Sequence, residues 1–214
     1  MGVALTPEEG AALTGLAAAA VAARLAGHPL AAAPPEAPAL CEPGAAFVTL
    51  TAAGQLRGCI GSLAPVRPLY QDVIRNAERA TADPRLPPVT ARDWPELDLS
   101  VSVLSPVEEL AGADRASLLE CLRPGVDGLV LAHGSRRATF LPAVWERYPE
   151  PEQFVAALLA KGGWRDWPPG LSACRYTTVE YRLPASDRAR RPDGSLAVAP
   201  DADPDANPGS DPPH

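Results

Sequence analysis

Apolar and polar positions follow two different periods along this chain. Helical spacing predicts an N-terminal helix, which opens on a capping-box pattern at Thr6 and ends before Gly27. Two further predicted helices begin at Pro68 and Pro151, since proline suits the first helical turn, and a short one covers "ASLLECL". Predicted helices therefore occur in both halves of the chain.

Strict alternation of apolar and polar positions predicts the strands. The clearest case is "LDLSVSVLSP", whose apolar positions alternate with an aspartate and two serines. Residues 46–60 predict a hairpin that turns at Gly54, residues 127–141 predict a second hairpin, and residues 174–183 predict a closing strand. Because the strands come as hairpins between helices and not as regular βαβ units, we predict an α+β fold with a mainly antiparallel sheet.

Two proline-rich segments interrupt this pattern. Between His28 and Gly44, five prolines predict an extended connection that is neither helix nor strand. The 31 residues from Pro184 onward contain seven prolines, six aspartates and no aromatic residue, which predicts a disordered tail. We therefore predict one domain over residues 1–183, followed by the tail 184–214.

Composition and charge argue against several classes of function. The net charge is −7 and the pI is near 5.0, opposite to the positive charge that nucleic-acid binding needs. The alanine-rich stretch 11–23 is too short to cross a bilayer and follows acidic residues, so we expect neither export nor a membrane span. The four cysteines and three histidines share no ligand spacing, which indicates neither disulfides nor a metal site and favours the cytoplasm. No glycine or cysteine pattern identifies a cofactor.

The stretch "QLRGCIGS" raises the main chemical question. Strand alternation places Arg57 and Cys59 on one face, where a guanidinium would favour the reactive thiolate. Gly58 and Gly61 would let a ligand or another backbone approach closely. Alternatively, Cys59 packs as a small apolar residue while Arg57 pairs with an acid. The residues alone leave both interpretations open.

Lys161 and Ser102 are candidates of a weaker kind. Of 19 basic residues 18 are arginine, so the single lysine, Lys161, either supplies a primary amine or simply lies on a solvated helix face. The hydroxyls of Ser100 and Ser102 share one face of the predicted strand, where they either bind a polar ligand or face water.

Several pieces of the chain occur in a recognisable order: "LRGCIGSL", "SVLSPVEEL", and "PGVDGLVLAHGSRRATFLPAVWE" followed by "LLAKGGW". Over about 45–181 the chain resembles the AMMECR-type domain family, which includes AmmeMemoRadiSam system protein A. The resemblance implies two closely packed subdomains, with helices flanking a mainly antiparallel sheet, and a cleft in which the LRGCIG strand lies. It also implies partners, namely a Memo-like protein and a radical S-adenosylmethionine (SAM) protein.

The same resemblance implies where a site would lie. Under a catalytic hypothesis, Cys59 is the nucleophile and Arg57 holds the thiolate or a substrate anion. Lys161 or Glu146 would then assist proton transfer. The residues implied to bind a small-molecule ligand are Gly58, Gly61, Ser102 and Arg137. Under the alternative hypothesis, the domain is a noncatalytic adaptor that binds a partner.

The chain departs from the family pattern in one segment. Where the family usually has aromatic residues, "ERATADPRL" has Thr81 and Leu86. Ser100 also occupies a place where an acidic residue is common. If those aromatic residues shape the cleft, the ligand of this chain differs from that of its relatives.

Overall fold

The structure is a computed structural model that describes residues 5–110 and 114–188. Within these residues the helices are α1 (Pro7–Leu25), α2 (Pro38–Cys41), α3 (Leu69–Ala80), α4 (Arg115–Cys121), α5 (Pro151–Lys161) and α6 (Ala185–Arg188). The strands are β1 (Pro43–Gly44), β2 (Ala46–Ala52), β3 (Gln55–Gly61), β4 (Arg67–Pro68), β5 (Leu97–Leu104), β6 (Glu108–Glu109), β7 (Gly128–His133), β8 (Arg136–Phe140), β9 (Ser172–Tyr176) and β10 (Thr178–Leu183). Two 3₁₀ helices cover Trp94–Glu96 and Pro142–Glu146.

The described chain divides into two compact units. The first unit contains residues 5–101 and 181–188, and the second contains residues 102–110 and 114–180. The boundary falls within β5 and β10, so each of these strands contributes residues to both units. Every strand pair with a defined register is antiparallel, and helices occur in both units, which confirms the predicted α+β class.

The sheet of the first unit has the strand order β10-β5-β2-β3, which leaves β3 at an edge. Helix α3 packs against β2 and β3, and α1 packs against α3. Alternating residues of β2 are buried, as the sequence pattern predicts for a sheet with one covered face. Fully buried aliphatic side chains from helix and sheet form the core: Leu13, Val21, Val48, Leu50, Leu69, Val73, Leu97 and Val101.

The capping box predicted at the start of α1 is present. The Thr6 hydroxyl accepts a hydrogen bond from the Glu9 amide at 3.2 Å, and the Glu9 carboxylate accepts one from the Thr6 amide at 2.8 Å. These two bonds satisfy amides that a helix start would otherwise leave unpaired. One turn further along, Gly10 lies against the ring of Tyr181 from β10.

The sheet of the second unit has the order β6-β9-β7-β8 and is covered on one face by α4 and α5. Leu129 and Leu131 of β7 point into this core, together with Leu158 of α5. Trp145 stacks on Phe154, with ring centroids 3.9 Å apart and an interplanar angle of 3°. The apolar face of α5, which the helical period predicts, therefore packs with the buried strand β7 in one apolar core.

The structure differs from the predicted elements in three places. Residues 28–44 contain two short elements, since Pro38 opens the single turn of α2 and β1 pairs with β4. The predicted strand 174–183 is broken at Thr177, whose backbone bonds with Ser105 instead, so β9 and β10 join different sheets. The chain also continues as α6 beyond the predicted boundary at 183. The rest of the predicted tail, 189–214, lies outside the described residues.

None of the helices in residues 5–110 and 114–188 combines the length and the apolar character that a bilayer crossing requires.

The contact between Gly10 and Tyr181 generates a test within one helix. A Cβ atom at Gly10 would lie 2.0 Å from Cδ1 of Tyr181, whereas a Cβ atom at Gly15 of the same helix meets nothing within 4 Å. We expect Gly10→Ala to destabilise the fold by about 1–3 kcal/mol through overpacking. We expect Gly15→Ala, the matched control, to stabilise it by up to about 1 kcal/mol, because alanine favours helix. Urea unfolding measures both changes, and equal effects of the two variants would contradict this packing.

Candidate functional site

The LRGCIG residues lie on the edge strand β3, where the ladder to β2 is irregular. Leu50 pairs with Gly58 and Thr51 pairs with Leu56, so Arg57 has no partner on β2. This is a β-bulge, which redirects side chains at the edge of a sheet. The regular alternation that places Arg57 and Cys59 on one face is therefore interrupted at Arg57.

Arg57 forms an ion pair with Asp93. Its Nη1 lies 2.6 Å from the Asp93 carboxylate, and the two side chains are 24% and 20% exposed. The same carboxylate accepts hydrogen bonds from the amide and the hydroxyl of Thr90, at 2.7 and 2.8 Å. The Arg57 hydrogen bond, followed by those from Thr90, lowers the pKa of Asp93 to about 2. Arg57 thus contacts an acid, which is the arrangement that the alternative interpretation expects.

A second pair, Asp83 and Arg85, holds the backbone of Cys59. The Cys59 amide donates to the Asp83 carboxylate at 3.0 Å, and the Cys59 carbonyl accepts from Arg85 Nη2 at 2.9 Å. Arg85 also donates to Asp83 through Nε at 2.9 Å and Nη2 at 2.6 Å. We call this arrangement the Asp83–Arg85 clip. It occupies the donor and acceptor that an edge strand would otherwise present to another chain.

The carboxylate in the clip is fully buried and ionised. The side chain of Asp83 has 0% exposure, whereas that of Arg85 is 56% exposed. The hydrogen bonds from Arg85 are the main reason that the pKa of Asp83 lies far below its usual range, and the Cys59 amide adds to the effect against the cost of burial. A buried carboxylate with this many donors is a rigid support for the strand.

The thiol of Cys59 has two polar neighbours. It is half-buried, and Sγ accepts a hydrogen bond from the hydroxyl of Thr49, the residue opposite on β2, at 3.4 Å. The pKa of Arg85 is raised mainly by its hydrogen bonds to Asp83. The guanidinium that contacts Cys59, through the backbone carbonyl, is that of Arg85, which the sequence analysis did not single out.

The two glycines of the motif are explained by close packing. A Cβ atom at Gly58 would lie 2.0 Å from the carbonyl oxygen of Ala80, at the end of α3. A Cβ atom at Gly61 would lie 2.2 Å from the ring of Phe47. Gly58 thus allows another backbone to approach closely, which is one of the two possibilities, a ligand or a backbone, that the sequence suggested. Gly61 allows the close approach of an aromatic ring.

The remaining candidates belong to the second unit. Ser102 is buried on β5, Arg137 is exposed on β8, and Glu146 is exposed at the end of its 3₁₀ helix. Lys161 ends α5, where Nζ donates to the Thr139 carbonyl at 2.8 Å and lies 5.0 Å from the centre of the Phe140 ring. The structure therefore brings the LRGCIG residues together on β3 and places the other four predicted site residues in the second unit.

Sequence reasoning missed Asp83, Arg85 and Thr49. The signal for the first two was the "DPR" that follows α3, between Thr81 and Leu86, the positions that depart from the family pattern. Within the described residues no group of three histidine, cysteine or acidic side chains is arranged to hold a metal ion.

Comparison with known proteins identifies relatives of this chain and a solved structure of similar fold. The chain matches the AMMECR1 family over residues 14–181. A protein of Methanothermobacter thermautotrophicus is 41% identical over 119 residues. The match covers 55% of this chain and 62% of that protein, which is less than two thirds of its length. A protein of Thermofilum pendens is 36% identical over 176 residues, covering 76% of this chain and 82% of that protein. The crystal structure of an uncharacterised protein of Pyrococcus horikoshii superposes with a TM-score of 0.75 at 29% identity, covering 84% of this chain and 98% of that one.

The ion pair of Arg57 and Asp93 generates a prediction about pH. The folded pKa of Asp93, about 2, lies below its ordinary value of 3.8, so the pair contributes stability above about pH 4 and loses it as the pH falls towards 2. We expect Asp93→Asn to lower the free energy of unfolding at pH 7 by about 2 kcal/mol, and this deficit to shrink between pH 4 and pH 2. Urea unfolding of both proteins at pH 7 and between pH 4 and pH 2 measures this difference in the free energy of unfolding. Glu36→Gln, which removes an exposed carboxylate, is the control, and a pH-independent deficit in Asp93→Asn would refute the assignment.

Proposed function

Because the chain belongs to the AMMECR1 family, we propose that it is a cytoplasmic component of a system with a Memo-like protein and a radical SAM protein, and that Cys59 is its functional group. The resemblance of the three motif blocks supports the system and the partners. The geometry around β3 supports the choice of Cys59.

The observation that carries the proposal is the way the thiol is held. The Asp83–Arg85 clip fixes the amide and the carbonyl of Cys59, and the sulfur accepts a hydrogen bond from the Thr49 hydroxyl. A hydroxyl donor and a nearby guanidinium both stabilise negative charge that develops on sulfur as a thiol reacts or binds an electrophile. A half-buried, rigid thiol with these neighbours suits a small-molecule site better than a broad protein interface.

In this proposal each residue of the strand has a distinct role. Cys59 is the group that reacts with or binds the small molecule, and Thr49 and Arg85 stabilise charge on its sulfur. Arg57 is a positioning residue that holds the segment before the 3₁₀ helix Trp94–Glu96 through Asp93. The proton-transfer roles of Lys161 and Glu146, and the ligand-binding roles of Ser102 and Arg137, stay predictions from the family resemblance.

A second candidate function, a noncatalytic adaptor, is favoured by one observation. Among the described residues the Thr49 hydroxyl donates the hydrogen bond to Cys59 Sγ, and no acid, histidine or lysine bonds to the sulfur. Activated cysteine nucleophiles usually have a general base within hydrogen-bond reach. An adaptor needs no such base, because it presents a fixed surface to a partner.

Selective alkylation tests the reactive thiol. All four cysteines are half-buried in the structure, so Cys41, Cys121 and Cys174 serve as internal controls for exposure. We expect iodoacetamide to modify Cys59 fastest in the native protein at pH 7.5, as measured by peptide mass spectrometry over time. We expect Thr49→Val, which keeps the shape of the side chain but removes the hydroxyl, to lower the alkylation rate of Cys59 by roughly two- to fivefold, as for the loss of a partly exposed polar contact. A Cys59 rate no higher than that of Cys174 would exclude the activated thiol.

Reconstitution with the partners separates the two candidates. We expect the chain to co-elute with a Memo-like or radical SAM protein of the same organism in size-exclusion chromatography if it is an adaptor, and Cys59→Ser to leave that complex unchanged. If Cys59 is a catalytic thiol, the isolated chain should turn over an electrophilic small molecule, and Cys59→Ser should abolish turnover. Absence of both activities would refute the proposed function.

A further inference from the structure

We propose that the second unit carries a binding site for a small organic anion, formed where the chain leaves α5. A pocket of about 540 Å³ lies at this point, within the range of about 300–1,000 Å³ that is typical of small-molecule sites. Its wall includes Leu159, Gly163 and Trp164, and its charged groups are Arg115, Arg165 and Asp166. The site is separate from β3 and does not depend on the proposed role of Cys59.

The "LLAKGGW" block builds this wall. The amides of Gly162 and Trp164 donate to the carbonyls of Leu158 and Leu159, which ends α5 and folds the chain back against the helix. Gly163 has a φ of +76°, a conformation that glycine adopts without strain. A Cβ atom at Gly162 would lie 2.0 Å from the ring of Trp164. The two glycines are therefore needed to place the indole where it is.

The indole of Trp164 has an unused donor. Trp164 is 8% exposed, and its Nε1 is a buried polar atom that has no hydrogen-bond partner among the described residues. Buried donors are nearly always paired, because leaving one unpaired costs about 1–3 kcal/mol. An acceptor on a bound ligand would satisfy this N–H. Since Nε1 lies below the accessible surface, we expect the ring to shift slightly on binding.

The charges around the pocket favour an anion. Arg115 and Arg165 both line it, and the guanidinium of Arg136 donates to the Gly163 carbonyl at 3.4 Å. The carboxylate in the wall, Asp166, already accepts a hydrogen bond from the Trp167 amide at 2.8 Å. The lining thus carries two positive side chains and one negative side chain, a positive balance in a chain whose net charge is −7.

The apolar part of the wall defines the rest of the ligand. Ala156, Leu159 and Ala160 form one side of the pocket along α5. A pocket lined by both aliphatic side chains and two guanidiniums suits a small molecule with an apolar group and one anionic group, either a carboxylate or a phosphate monoester.

The indole N–H signal of Trp164 gives a direct test. In a ¹H–¹⁵N spectrum of the full chain, the signal that disappears in Trp164→Phe is that of Trp164, and each of the four tryptophans contributes one such signal. We expect phenyl phosphate or benzoate, titrated separately, to move this signal with saturation, and the stronger of the two identifies the anionic group. Benzyl alcohol, which is similar in size but uncharged, should bind more weakly.

Charge variants complete the test. We expect Arg115→Gln and Arg165→Gln each to weaken binding by roughly two- to fivefold, as for the loss of one exposed ion pair. Arg92→Gln, an exposed arginine of the first unit, is the matched control and should leave the affinity unchanged. The site is refuted if neither anion moves the Trp164 signal, if benzyl alcohol binds as tightly as the anions, or if Arg92→Gln weakens binding as much as the pocket variants.

Discussion

The contact between Gly58 and the end of α3 determines how the rest of the LRGCIG site is arranged. Because Gly58 has no side chain, the carbonyl of Ala80 reaches the surface of β3, where a Cβ atom would lie only 2.0 Å from it. The chain that leaves α3 at this point carries Asp83 and Arg85 directly to the edge of β3, beside Cys59. A side chain at position 58 would push this helix end away, and the support of the thiol would move with it.

Buried aspartates provide a second, repeated constraint. Asp72, Asp83 and Asp127 each have a fully buried side chain, and each forms an ion pair with an arginine that is partly exposed. Each carboxylate also accepts a hydrogen bond from a backbone amide elsewhere in the chain or turn, so it joins two parts of the backbone. Burying a lone carboxylate would be costly, but an arginine and several N–H donors together offset that cost. Three arginines, Arg67, Arg85 and Arg123, thus serve as structural partners of buried carboxylates.

This use of arginine changes how the motif relates to function. Arg57 forms an ion pair with Asp93, and the two motif glycines pack closely against the end of α3 and the ring of Phe47. Most of the LRGCIG sequence therefore specifies packing. The chemistry proposed for the first unit therefore depends on the thiol of Cys59 and the groups that neighbour it, Thr49 and Arg85. The glycines of "LLAKGGW" serve packing in the same way, and the pocket beside them is lined by Trp164, Arg115 and Arg165.

The local elements follow from the sequence alone. Capping at Thr6, the alternation in β2 and the helical period of α5 depend on residues close together in the chain, and the structure contains all of them. In β5 the alternation holds only from Leu97 to Val101, because the strand is buried on both faces from there on, Ser102 included. The motif also located β3. Tertiary structure alone decided which groups surround Cys59, because the clip comes from residues 24 and 26 positions away and the Arg57 partner from 36 positions away. The bulge at Arg57 and the break at Thr177 depend likewise on pairing with distant strands, and a periodic pattern carries no information about such partners.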